Sequence, residues 1–166
     1  MLRDFGILGV VGDTLLWSLI ATAALTVILQ GSQNMGLSRL SIPFLVGTVF
    51  TGNRDRAVLV GFVVYTIGGW LFAIGYHLVF LSVGWATWWL GALLGLLHAA
   101  VLLVSVLPVL PHIHPRMASE YAGPTVLRRL EPPGFLGLNY GRETPICTVA
   151  SHVVFGAILG AFAGAG

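Results

Sequence analysis

The chain has 166 residues, 57% hydrophobic and 8% charged, with a mean hydropathy of +0.93. A soluble domain carries about 25% charged residues, so a water-facing surface is excluded and one small integral membrane domain, an all-α helix bundle, is expected. The net charge of +2 comes from eight arginines and no lysine, too few and too scattered for nucleic-acid binding, and the lone Cys147 excludes an intrachain disulfide and a cysteine-built zinc site.

Four apolar runs reach the length of about 20 residues that a span needs: 14–31, 57–81, 85–107 and 146–165. At the N-terminus, Arg3 followed by an apolar stretch and the small residues Ala21-Thr22-Ala23 resembles a cleavable signal. The charged start is weak and the apolar run continues to Leu29, so an uncleaved first span is expected. Gly12-Asp13-Thr14 precedes that span, where the Asp13 carboxylate suits a helix cap. Along the span, Thr14, Ser18, Thr22, Thr26 and Gln30 recur every four residues. At 3.6 residues per turn such a row drifts round a straight helix, so two or three of its members, not five, are expected in one contact.

The loop that follows has an apolar core, Ile42 to Phe50, too short to cross a bilayer. Pro43 suits a first helical turn, and a short interfacial helix is expected there. The second span carries Gly61, Tyr65, Gly69, Ala73 and His77 at four-residue spacing, and the third carries Gly91, Gly95 and Ala99 beside His98. In the last run Gly156, Gly160 and Gly164 repeat every four residues behind His152. Each glycine in a water-exposed helix would cost about 1 kcal/mol relative to alanine. In a bilayer the same spacing makes a groove where another helix backbone approaches closely.

Residues 108–145 hold seven prolines: Pro108, Pro111, Pro115, Pro124, Pro132, Pro133 and Pro145. Apolar residues between them argue against disorder, and a proline-rich loop capping one end of the bundle is expected, with a short helix at 124–130. Arginines cluster in this loop and in the first one (Arg39, Arg54, Arg56, Arg116, Arg128, Arg129, Arg142), whereas 82–84 has none. The positive-inside rule then puts both loops in the cytoplasm and both termini outside, multi-pass in a cell inner membrane. Trp17, Tyr76, Trp85, Trp88 and Trp89 fall near the outer helix ends, where an aromatic belt belongs.

Ionisable groups inside spans are functional candidates because placing them there is costly. His98 and His152 lie at similar depth on two helices, as ligation of a haem iron from both sides requires. In an extended segment His112 and His114 project to one face, as a two-nitrogen metal clamp requires. Hydrogen bonding to a neighbouring helix accounts for the first pair more simply, and capping and turn bonding for the second. Asp13 and His77 share the outer end. Nucleophile-elbow, phosphate-loop, zinc-protease and dinucleotide patterns are absent, so no catalytic residue is assigned.

The segments GLSRLSIPFLVGTVFTGNRDRA (36–57), PHIHPRMA (111–118) and GFLGLNYGRETP (134–145) resemble a group of small bacterial inner-membrane proteins of four helices with no assigned activity. The resemblance implies a bacterial four-helix membrane protein and carries over no catalytic residue. Three functions stay open. The first is a non-catalytic component packing through its small-residue faces with itself or other membrane subunits in the lipid bilayer. The others are a metal- or haem-binding membrane enzyme using the histidines, and a small-solute or ion transporter along the Thr14–Gln30 row.

Overall fold

A computed structural model of the chain describes residues 6–119 and 123–163, all helix, turn and isolated bridge without a strand. In order, the elements are α1 (Gly6–Asn34), α2 (Ile42–Phe50), α3 (Arg54–Val83) and α4 (Trp88–Val101). A π-helical turn (Leu102–Val106), α5 (Leu107–Ile113), a 3-10 stretch (Phe135–Tyr140) and α6 (Thr144–Ala163) complete the chain. Among the described residues four helical segments are long and apolar enough to cross a membrane: Val11–Asn34, Arg54–Val83, Trp88–Ile113 and Thr144–Ala163.

Three local expectations change. Asp13 is not a cap, because α1 begins at Gly6 and takes Asp13 into its interior. The third span does not end at Pro108. Proline lacks the N–H that an α-helix needs at that position, and the chain absorbs the loss by widening to π geometry over Leu102–Val106 before α5 continues to Ile113. The helix expected at 124–130 is absent; instead Leu130 N–H bonds Arg116 O and Ala118 N–H bonds Leu130 O, so this segment pairs with the chain after α5.

The contacts divide the chain into two compact units. The first comprises residues 1–28, 66–99 and 149–166. Its centre is the α4–α6 crossing: a Cβ on Gly91 would overlap the carbonyl of Gly156, and one on Gly156 would overlap that of Gly91. Gly160 meets the Thr87 carbonyl in the same way, and Gly95 meets that of His152. Four small residues thus let two backbones touch, which is what lipid-immersed helices need in place of a hydrophobic driving force. Gly164 lies outside the described residues. Trp17 stacks on Phe162 with ring centroids 3.5 Å apart, and Thr22 sits over Gly69. Ser18, Ala21, Thr22 and Leu25 are buried on α1 while Gln30 is exposed, so the four-residue row does drift out of contact.

The second unit comprises residues 29–65 and 100–148. Here α2 crosses the start of α3 at two glycines: a Cβ on Gly47 would overlap the Ala57 carbonyl, and one on Gly61 the Pro43 carbonyl. Pro43 occupies the first turn of α2, where its missing N–H costs nothing. The chain after α1 is tied to the start of α6 by a buried hydrogen bond of 2.8 Å between the Ser38 and Thr144 hydroxyls. Gly141, at φ 134, packs against the Leu37 carbonyl in a conformation that side chains rarely adopt.

Candidate functional site

In the first unit the Gly95 contact determines what happens at the histidines. Because no side chain separates α4 from the His152 carbonyl, His98 and His152 come within 4.8 Å between ring centroids, edge to face at 77°. Tyr76 hydroxyl lies 3.4 Å from His98 Nδ1, and its ring packs edge-on to Phe155 at 5.7 Å. Phe72 packs on the His98 ring at 4.0 Å between centroids, and Ser151 Oγ is 3.3 Å from His152 Nδ1. The two histidines are therefore neighbours, but not in the arrangement a haem needs. Ligation of one iron by both rings would require the two imidazoles to be set apart with room for the group between them. Rings in edge-to-face contact leave no such gap. The cluster is an imidazole–aromatic knot joining α3, α4 and α6.

At the end of the same unit, Asp13, Thr14, Trp17, Ala73 and His77 line a cavity of about 100 Å³. This is space for a few waters and brings Asp13 and His77 to a common hollow.

In the second unit His112 and His114 part company. The extended segment expected for them is helical through Ile113, so His112 lies in the last turn of α5 and is exposed, whereas His114, the first extended residue beyond, is buried. His114 Nε2 lies 3.1 Å from the Leu45 carbonyl and 3.3 Å from Thr48 Oγ1, and its Nδ1 accepts the Arg116 backbone N–H at 3.1 Å. That set of partners defines a neutral ring with the proton on Nε2. Neither nitrogen keeps a free lone pair for a metal. Among the described residues no three of His, Cys, Asp and Glu gather to hold a metal ion. Burial lowers the His114 pKa first, with the Arg116 guanidinium adding to it and the Leu45 bond opposing.

Arg116 completes this node: its Nη1 donates to the Thr48 and Val49 carbonyls at 2.7 and 2.9 Å, closing the carboxyl end of α2. The cation meets the negative end of the helix dipole there. Close by, Arg39 forks onto Glu131 at 2.8 and 3.2 Å, and Tyr140 hydroxyl donates to the Glu131 carbonyl at 2.7 Å. Burial, then the Glu131 carboxylate, push the Tyr140 phenol up to about 12 against the opposing pull of Arg39, so it remains a donor at neutral pH.

Thr48 was not singled out by sequence reasoning; Tyr76, expected in an outer aromatic belt, is instead buried with its hydroxyl on His98, and Arg116 was read only among the loop arginines. Only Arg116 carried a signal, two residues after His114 in PHIHPRMA; the others meet the histidines across separate helices. A second-unit recess of about 1020 Å³, lined by Arg54, Arg116 and Arg129, was equally hidden because its arginines come from three distant segments. No protein-family model, curated protein sequence or solved structure matches the chain.

Proposed function

We propose that this chain is a non-catalytic protein of a bacterial inner membrane, a structural or accessory component that docks transmembrane helices, a second copy of itself first among them. In this reading the arginine-rich loops face the cytoplasm, both termini lie outside, and α2 lies at the interface.

The observation that carries it is an unfilled seam on α3. Gly68, Leu71, Gly75, Leu78 and Ser82 follow one another at steps of three and four residues, the spacing of a helix-pairing stripe. Leu71 and Leu78 are 65% and 60% exposed, and a Cβ on Gly68 or Gly75 would meet nothing within 4 Å. The glycines of the regular rows (Gly61, Gly69, Gly91, Gly95, Gly156, Gly160) all face atoms of the same chain. Contact surface left over for a partner therefore sits one residue round from the α3 row, where large side chains alternate with glycine as knobs and holes do.

Native mass spectrometry in mild detergent tests this. A dimer or higher species is expected, and Gly75→Leu should convert it to monomer while leaving the thermal midpoint of the monomer within about 2 °C. A wild-type chain that stays monomeric in detergent and in cross-linked bilayers sinks the proposal.

A second reading, small-solute conduction along α1, is favoured by Ser18 Oγ and Thr22 Oγ1, which are buried without a hydrogen-bond partner among the described residues. The docking reading predicts that Ser18→Ala raises stability by about 1 kcal/mol, since it removes an unsatisfied buried hydroxyl. Conduction predicts instead that this variant slows solute flux into proteoliposomes, and an inert wild type in that assay removes it.

A further inference from the structure

We propose that the recess of the second unit binds a phosphate ester, the headgroup of an anionic phospholipid. This goes beyond the docking reading and does not depend on it, since the α3 seam belongs to the other unit.

Three guanidinium-bearing residues from three separate segments line one hollow of about 1020 Å³. Arg54 opens α3, Arg116 follows α5, and Arg129 lies in the loop beyond. Gln30 and Ser41 add neutral hydrogen-bonding groups, and none of the described lining residues is a carboxylate. The ion pair formed among the described residues, Arg39 with Glu131, involves none of these three arginines. Converging like charges repel one another, and an anion of high charge density removes that cost.

Arg116 is already fixed. Two backbone carbonyls hold its Nη1, so its guanidinium presents a set orientation without further ordering. Planar, preorganised guanidinium donors match the geometry of phosphate oxygens. The start of α3 contributes in the same sense: Asn53 Oδ1 caps the Arg56 N–H at 3.0 Å, and the helix begins on Arg54 at the wall of the recess. The positive end of its dipole therefore adds to the charge of Arg54.

The apolar part of the lining selects a lipid over a free phosphate. Leu127 and Val126 are each 79% exposed and share the recess with the arginines. Large aliphatic side chains left open beside cationic ones suit a ligand that is anionic at one end and hydrocarbon at the other. Basic pockets at the start of membrane spans recognise such headgroups through the same combination.

The test uses the full chain in an uncharged detergent, titrated with phosphatidylglycerol or phosphatidylcholine and read as bound lipid by native mass spectrometry. Saturable binding of one phosphatidylglycerol, with phosphatidylcholine bound at least tenfold more weakly, is expected. The double variant Arg54→Gln, Arg129→Gln should weaken phosphatidylglycerol binding about 30-fold. Both side chains are exposed, so this variant keeps its fold, and Arg116 is left in place because it holds α2. Arg56→Gln, an exposed neighbour outside the recess, should change binding less than twofold. Displacement of the lipid by millimolar glycerol 3-phosphate would assign the recess to a soluble phosphate ester; no displacement assigns it to the lipid. Equal binding of the two lipids, or unchanged binding in the double variant, overturns the proposal.

Discussion

Gly91→Leu is expected to lower the stability of the protein by about 3 kcal/mol or more. The added side chain starts where the Gly156 carbonyl already is, with the Gly160 amide beside it. A flexible neighbour would yield a few tenths of an ångström; a helix backbone cannot. To admit leucine, α4 and α6 must separate along the whole crossing, which also withdraws Gly95 from His152 and loosens the His98–His152–Tyr76 knot. Gly156→Leu should be equally damaging from the opposite side. Gly75→Leu adds the same side chain where a Cβ meets nothing within 4 Å and should cost the monomer less than about 0.5 kcal/mol. Graded SDS unfolding followed by circular dichroism measures all three. Equal losses at Gly91 and Gly75 would mean that the close crossing does not hold the unit together.

The second large effect is expected at His114. His114→Ala removes the partner of the Leu45 carbonyl and of the Arg116 amide inside a buried node and should cost about 3 kcal/mol. Acid should act through the same residue. Its folded pKa lies below the ordinary value of about 6.5, so between those two values the unfolded chain holds a proton that the folded chain refuses. Stability therefore rises with pH across that window. The contribution is complete above about pH 6.5 and is lost progressively as pH falls below it. Protonating Nδ1 would also set a donor against the Arg116 N–H and a second cation beside the guanidinium. Unfolding midpoints compared at pH 7.5 and pH 5 should fall in the wild type and change less in His114→Gln. Identical pH profiles would show that His114 is not the acid-sensitive group.

Much of the architecture was legible because a bilayer imposes length and composition on whatever crosses it. Each apolar run became a helix, and Pro43 marked the first turn of α2 where a proline is tolerated. The errors share one cause. Pro108 and Asp13 read as local boundary signals, yet the chain tolerates a proline by widening one turn and carries a carboxylate inside α1. At 124–130 the local pattern suggested a helix, but backbone bonding to Arg116 and Ala118 outweighed it. The pairing of His112 with His114 failed for a related reason: α5 ran on through Ile113 and turned the two rings apart.

Composition and the spacing of small residues were enough to specify an all-helical chain with four segments fit for a bilayer, and to mark which helices could approach closely. Those properties are local, fixed by how much apolar surface each stretch carries and by where a Cβ is missing. Which glycine met which carbonyl, that His98 would touch His152, that His114 would spend both nitrogens on backbone, and that three distant arginines would share one hollow were decided by tertiary structure alone. Each depends on the rotation and depth of one helix against another, a few ångströms that no single segment encodes.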